Sequence, residues 1–391
     1  MPKLLFVNSS SCYIGGVERY IAQVAQLLRK DGWGLYALFE RKSEKEDGLI
    51  DQFDQVFYDD PRSRNNLYTM LKEVSIQCAF VHKVSDPSLL KSLRQHFKMI
   101  SVIHDHDYYC LRKHKYYPIG RINCKRPFRR LFCTACSLGI ERKSGGMIPF
   151  RFLDIDAKQE LLKEIKKADV SIVLSEYMKS NLIRNGWDAE KIHKIYPIQK
   201  LYDPPMKKKS ESIKLLYVGQ LIRGKGVDLL LDALRYIKMP YKADIIGTGN
   251  DEMFIRNLII KYGLHEKVNL IGWANDVVPF YQNADIVIVP SRWQEPFGLI
   301  GVESFAHGKP VVAFHVGGIG EWLQDGVNGY LVPENQPKLM AKKIQELMTD
   351  FNKMLKFGEN GYKMVAEDYT TQCFMSRFKT VFNLLEESHK K

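Results

Sequence analysis

Residues 292–332 read RWQEPFGLIGVESFAHGKPVVAFHVGGIGEWLQDGVNGYLV, and the order of signals in this stretch decides the fold. Just before it, Ala284 to Val289 (ADIVIV) is a short, β-branched run of the kind buried in a parallel sheet. PSRWQEPFG is an irregular turn, and LIGVESFAHG has helically spaced apolar positions with Gly308 as a stop signal. KPVVAF then supplies another buried strand, followed by a Gly-Gly turn. Strand, loop, helix and strand in this order build a doubly wound α/β sheet, which binds ligands beyond the C-terminal ends of its strands.

The same stretch carries chemistry. Glu295 and Glu303 flank the expected helix start with seven residues between them. The first turn of a helix presents unpaired N–H groups and a partial positive charge, which suits a diphosphate. Glu303, about one turn into the helix, would accept hydrogen bonds from a ribose diol, and Glu295 would face hydroxyls of a sugar carried on the phosphates. Glutamates on a helix often form only a solvated face, but these lie among apolar residues of a strand-loop-helix unit.

Working outward, KLLFVNSS, GLYALF, CAFVH, MISVIH and DVSIVLS are strand candidates in the first half, and IKLLYVG, KADIIG, KVNLIG, ADIVIV and KPVVAF in the second. A chain of 391 residues with 45% hydrophobic content suits two domains with full cores. The boundary is expected at Tyr196 to Ser212, where turn residues and charge replace periodicity, giving domains of 1–198 and 213–370. A terminal helix over 371–391 is amphipathic through Phe374, Phe378, Val381, Phe382 and Leu385. No apolar run approaches 18 residues, and the four-residue apolar run in MPKLLFVNSSS reads as a first strand rather than a signal peptide.

EPFG with a second Glu after seven further residues resembles the donor-site motif of the family 4 retaining glycosyltransferases of the GT-B fold. LLYVGQLIRGKGVDLLLDAL (215–234) is similar to that family's V-G-R-L-x-x-x-K-G element, and ADIIGTGND followed by VNLIGWANDVVPFYQNADIVIVPS keeps the order and spacing of the rest. The likeness covers the C-terminal half closely and the N-terminal half loosely. It implies two Rossmann-like domains facing a central cleft, with the terminal helix returning to the first domain. The C-terminal domain would bind the nucleoside-diphosphate sugar, UDP- or GDP-linked. Glu295 and the backbone at Phe297, Gly298 and Leu299 would hold the sugar, Glu303 the ribose, and Lys225 and Arg223 the diphosphate. Arg223 and Lys225 follow a strand, where cations can neutralise a leaving phosphate. Gln220 departs from the family pattern by replacing its usual arginine, which makes Lys225 the firmer assignment.

On the acceptor side, Gly15 and Gly16 after the first strand allow close approach of backbone to a phosphate or sugar, with Glu18 at the helix start. Gly16 would face the donor diphosphate. The run His104-Asp105-His106-Asp107 admits three readings: a divalent-metal motif, a polar loop, or, as the resemblance implies, a His-Asp element with His104 beside the donor sugar. The catalytic set expected is therefore His104, Glu295 and Lys225, with no cofactor required for chemistry.

Cys110, Cys124, Cys133 and Cys136 cluster in a region without periodicity and end in C-T-A-C. Structural zinc, unliganded or redox-labile thiols, and disulfides are the readings, the last disfavoured in a reducing cytosol. Residues 101–150 hold 10 Lys/Arg against 3 Asp/Glu, within a chain of net charge +13. Such a basic, aromatic stretch suits an anionic membrane surface carrying a lipid-linked acceptor, at about 1 kcal/mol per cation, although ordinary solvated charge is the alternative and nucleic acid is disfavoured. The expectation is a cytoplasmic protein, peripheral on the membrane face, acting in cell-surface polysaccharide biosynthesis on a glycan or lipid-linked acceptor. A nucleotide-sugar epimerase of the same architecture and a non-catalytic nucleotide- or glycan-binding protein are the competing classes.

Overall fold

The computed structural model describes residues 1–44, 47–117, 122–138, 140–142, 150–152, 154–203 and 212–387. Part of the expected boundary (204–211), parts of the basic stretch (118–121, 139 and 143–149) and the last residues of the terminal helix (388–391) lie outside the described residues. The chain divides into two compact units, Met1–Gly120 with Cys124–Pro197 and Phe374–Lys391, and Arg121–Asn123 with Ile198–Cys373.

The first unit contains strands β1 (Lys3–Ser10), β2 (Gly34–Arg41), β3 (Gln55–Tyr58), β4 (Cys78–Val81), β5 (Lys98–Ile103), β6 (Ile140–Arg142), β7 (Phe150–Phe152), β8 (Val170–Val173) and β9 (Ile192–Lys194). Among the described residues, seven of these form one parallel sheet in the order β3-β2-β1-β4-β5-β8-β9, while β6 and β7 pair as a separate antiparallel hairpin. The central strands are apolar on both faces because helices cover both, so Leu4, Leu5, Val7, Ala79, Val81, Met99 and Ile103 are all buried. Since β1, β4 and β5 are parallel neighbours, the residues just past them, including His82 and His104, share one edge of the sheet.

The second unit contains β10 (Ile213–Val218), β11 (Tyr241–Ile246), β12 (Val268–Gly272), β13 (Ile286–Val289), β14 (Val311–Phe314) and β15 (Gly329–Val332), a parallel sheet in the order β12-β11-β10-β13-β14-β15. The strand order reverses direction beside β10, between β10 and β13. A crevice for ligands opens there in sheets of this kind. The helix Leu299–Ala306 connects β13 to β14. Strands β3, β9 and β15 have no counterpart among the strand candidates of the sequence. They are three or four residues long and take their regularity from a neighbour already in the sheet.

The helix Thr371–Glu387 carries its apolar stripe into the first unit. Phe378 is fully buried and Phe382 lies 4.8 Å from the Trp33 ring, with Phe378 edge-on to Phe80 at 5.5 Å. Lys379 adds an exposed ion pair to Asp31 at 2.8 Å, worth little beside the aromatic burial. Phe378→Ala is therefore expected to destabilise the first unit by about 3–5 kcal/mol. Urea unfolding followed at Trp33 checks this, and Lys379→Ala in the same assay should shift the midpoint much less.

Candidate functional site

Three loops meet at the C-terminal edge of the second sheet: 219–226 after β10, 290–298 after β13 and 315–321 after β14. They meet backbone to backbone. Gly224 carbonyl oxygen accepts from Arg292 N at 2.8 Å and Trp293 N at 3.1 Å, and Glu295 carbonyl oxygen accepts from Gly318 N at 2.7 Å. A Cβ at Gly226 (φ +71°) would stand 1.9 Å from the Pro290 carbonyl oxygen, and one at Gly317 (φ +57°) 2.2 Å from that of Glu295. Only glycine combines the left-handed backbone with this clearance.

Glu295 sits in this clasp, only 4% exposed. Its Oε1 receives Lys225 Nζ at 2.7 Å, Ser291 Oγ at 2.5 Å and Trp293 Nε1 at 2.9 Å, and the Lys225 ammonium stands 5.0 Å from the Trp293 ring centre. Burial pushes the Glu295 carboxyl up, but Lys225 and the hydrogen bonds from Lys225, Ser291 and Trp293 outweigh it and hold the group below its usual value. The carboxylate is thus charged and fixed in direction. Glu303, in the second turn of the helix Leu299–Ala306, accepts from the buried Tyr281 hydroxyl at 2.9 Å. Tyr281 is held in turn by a stack in which the His307 ring lies 4.9 Å from Tyr281 and 4.2 Å from Tyr202.

Gly298 opens that helix in the left-handed region (φ +89°), Phe297 is buried with its carbonyl oxygen receiving Trp322 Nε1 at 2.7 Å, and Leu299 is the first helical residue. Arg223 places its guanidinium carbon over the Phe254 ring, 4.0 Å from its centre, and its Nε donates to Asp251 at 3.0 Å. Its guanidinium is thus paired with a carboxylate, as the Lys225 ammonium is with Glu295. Arg292 is buried and forks onto Asp228 at 2.9 and 3.1 Å while donating to the Arg223 carbonyl oxygen, bracing the loop that carries Lys225. Gln220 is exposed, and its carbonyl oxygen accepts from the Tyr217 hydroxyl at 3.0 Å.

At the edge of the first sheet, Gly15 precedes the helix Gly16–Lys30, and Glu18 reaches back to Gly15 N at 2.9 Å, closing the first turn. Asn8 at the end of β1 donates to Glu18 and accepts from Lys83 N, tying the strand ends together. His104 follows β5, and its Nε2 lies 3.1 Å from Nδ1 of His82, which follows β4. His82 is buried and its Nε2 has no partner. An unpartnered buried acceptor costs less than an unpartnered N–H, so His82 Nδ1 carries the proton and donates to His104. His104 then keeps its own proton on Nδ1. Burial lowers both imidazoles. Asp105 acts to raise His104 and Lys83 to lower it, and the balance leaves it at about 4.

Asp105 and Asp107 both receive Lys83, at 3.0 and 2.7 Å, and His106 is turned to the Tyr109 hydroxyl at 2.7 Å. An ammonium occupies the position between the carboxylates that a cation would need. Among the described residues no group of three His, Cys, Asp or Glu side chains is arranged to hold a metal ion. Cys110, Cys124, Cys133 and Cys136 nonetheless line one cavity of the first unit. The sequence reading passed over His82, Lys83, Tyr281, Ser291 and Trp293. His82 had a legible signal, as the polar end of the apolar run CAFVH.

Residues 199–364 match the family model described as glycosyl transferases group 1. An uncharacterized glycosyltransferase of Methanocaldococcus jannaschii is 36% identical over 162 residues, 41% of this chain and 45% of that protein. A capsular polysaccharide biosynthesis glycosyltransferase, CapM, of Staphylococcus aureus is 27% identical over 250 residues, 61% of this chain and 63% of that protein. The match spans about half the length of the first curated relatives. Among solved structures, HepE of Anabaena in complex with UDP aligns at a TM-score of 0.73 and 17% identity, covering 97% of this chain and 100% of that one. Sucrose-phosphate synthase of Thermosynechococcus elongatus aligns at 0.73 and 18%, covering 99% and 100%. The fold is GT-B, built from two Rossmann-like parallel-sheet units.

The histidine pair gives a pH prediction. Both imidazoles have folded values below their unfolded ones, so the unfolded chain binds more protons in the intervening range. Their contribution to stability is complete above about pH 6.5 and is lost as pH falls toward about 4. Denaturant midpoints of the first unit measured across that range should fall with acidification, and the slope should be shallower in a His82→Phe/His104→Phe double variant.

Proposed function

We propose that this chain is a retaining glycosyltransferase, peripheral on the cytoplasmic membrane face, that transfers a sugar from a UDP- or GDP-sugar to a hydroxyl of a glycan or lipid-linked acceptor in cell-surface polysaccharide biosynthesis. One observation carries the reading. Within the stretch that matches the group 1 model, a buried, oriented carboxylate (Glu295), a lysine (Lys225) and a helix N-terminus (Leu299) stand together, with Glu303 in that helix. The HepE structure contains UDP, and a poly(ribitol-phosphate) alpha-N-acetylglucosaminyltransferase of Staphylococcus aureus is 25% identical over 58% of this chain.

In this reading the helix N-terminus and Lys225 receive the diphosphate, and Glu303 receives the ribose diol. The three donors to Glu295 all fall on Oε1, which directs Oε2 to a sugar hydroxyl. Breaking the glycosidic bond develops positive charge on the sugar and negative charge on the diphosphate. Lys225 and the helix N–H groups stabilise the second, and their orientation is set before the reaction begins. The acceptor hydroxyl attacks from the face the diphosphate leaves, so configuration is retained. His104, neutral near pH 7 with its proton on Nδ1, is a hydrogen-bond donor on the acceptor side, where Gly15, Gly16 and Glu18 shape the first turn. Arg223, paired with Asp251 as Lys225 is with Glu295, is a second cation for the diphosphate.

No described helix is long and apolar enough to cross a membrane. Leu131 and Phe132 are 85% and 57% exposed beside Arg129 and Arg130, which favours contact with an anionic lipid face.

A thermal-shift panel of UDP, GDP, ADP and their common sugars should raise the melting temperature with one nucleotide family, since a ligand selective for the folded state stabilises it. No shift with any of them would defeat the proposal. With that donor, Glu303→Gln and Lys225→Ala should each lower kcat/KM for sugar transfer by about 1.5–3 kcal/mol, the scale of a lost charged hydrogen bond. Transfer at the full rate by either variant would refute its assigned role.

A further inference from the structure

The segment between β5 and β8 carries a helix that buries little of its own surface. Its helix Arg130–Ser137 has eight residues, and the only one of them that is buried is Ser137. Helices of this length are marginal in water unless tertiary contacts hold them. The same loop keeps Lys113, Lys115 and Leu138 in the left-handed region, at φ +66°, +50° and +56°. Each such residue costs about 1–2 kcal/mol and persists where surrounding structure enforces it. Apolar packing holds the first arm through Tyr108, Tyr109 and Leu111, whereas Leu131 and Phe132 of the helix are exposed.

The loop does concentrate sulfur. Cys110, Cys124, Cys133 and Cys136 all line one cavity, and none is in a disulfide. Cys133 and Cys136 are three apart on the helix and so share a face. Cys124 N donates to Lys115 carbonyl oxygen at 2.6 Å, drawing the second arm of the loop to the first. Arg129 N donates to Cys133 Sγ at 3.4 Å, the kind of bond that supports a ligating sulfur from outside its coordination shell. Arg112, Lys115, Arg126 and Arg129 line the same cavity.

We propose that Cys110, Cys124, Cys133 and Cys136 bind one structural Zn²⁺ that fastens this loop, a role independent of sugar transfer. No three Cys, His or carboxylate side chains among the described residues already converge on one point, so ligation rotates the thiols toward a common centre at about 2.3 Å. Each thiol releases its proton to solvent as its sulfur binds. Four thiolates and Zn²⁺ leave a net charge of about −2, which the cavity's Arg and Lys side chains balance. The closed sulfur shell leaves no position for a substrate.

The test uses the full chain purified without chelator. Elemental analysis should find one equivalent of zinc, and the Cys133→Ser/Cys136→Ser double variant should lose it while Cys12→Ser/Cys373→Ser keeps it. Exchange with Co²⁺ should give thiolate-to-cobalt charge-transfer absorption and the intense visible bands of a tetrahedral site. If the double variant does not fold, alkylation of the wild-type chain decides. The four thiols should be protected until a chelator is added, while Cys12 and Cys373 react beforehand. Substoichiometric zinc, zinc retained by a folded double variant, disulfides in the unreduced chain, or alkylation unaffected by chelator would each overturn the proposal.

Discussion

The second unit depends on how closely three loop backbones approach one another. Residues 290–298 are held on one side by Gly224 and Gly226 and on the other by Gly317 and Gly318, at distances that exclude a Cβ at 226 and 317. This contact turns a stretch without regular structure into a rigid one. Glu295 is buried because its backbone has nowhere else to go, and Lys225 reaches it because the 3-10 turn Arg223–Lys225 ends at Gly226. The helix Leu299–Ala306 starts where it does because Gly298 can take a left-handed conformation next to Trp322.

Burial of charge on this scaffold needs compensation, and the pairing is selective. A buried carboxylate loses hydration worth several kcal/mol, which one lysine offsets only with good geometry and further hydrogen bonds. Glu295 has both, from Lys225, Ser291 and Trp293. Arg292 and Asp228 satisfy each other by a fork, and Arg223 is committed to Asp251. Lys225 and Arg223 are held alike, each hydrogen-bonded to one carboxylate oxygen and each beside an aromatic face, Trp293 for the first and Phe254 for the second.

Much of this was legible because the signals are local. ADIVIV, EPFG and the helical spacing of LIGVESFA give strand, turn and helix without reference to the rest of the chain, and the Phe374 to Leu385 stripe announces a buried helix face. What was missed depends on partners far apart in sequence. His82 acquires significance only when parallel pairing of β4 and β5 brings it beside His104, 22 residues on. The Arg223 pairing with Asp251, 28 residues away, and the Lys83 pairing with Asp105 and Asp107 are also set by partners that sequence alone does not bring together. Short strands such as β3 and β9 are likewise defined by their neighbours' hydrogen bonds more than by their own composition.

The two sheet edges solve opposite electrostatic problems. The edge of the second sheet keeps ions in place: Glu295 stays charged, Lys225 lies against it, and helix N–H groups add positive potential where an anion would sit. The edge of the first sheet removes charge from its histidines. Burial keeps a second proton off His82 and His104, and Lys83 is paired with Asp105 and Asp107. A neutral imidazole can donate one hydrogen bond without adding positive charge to this edge. The pairing of His82 with His104 therefore matters to the proposed chemistry through what it prevents, since it fixes which nitrogen bears the proton while burial keeps a second proton off the ring.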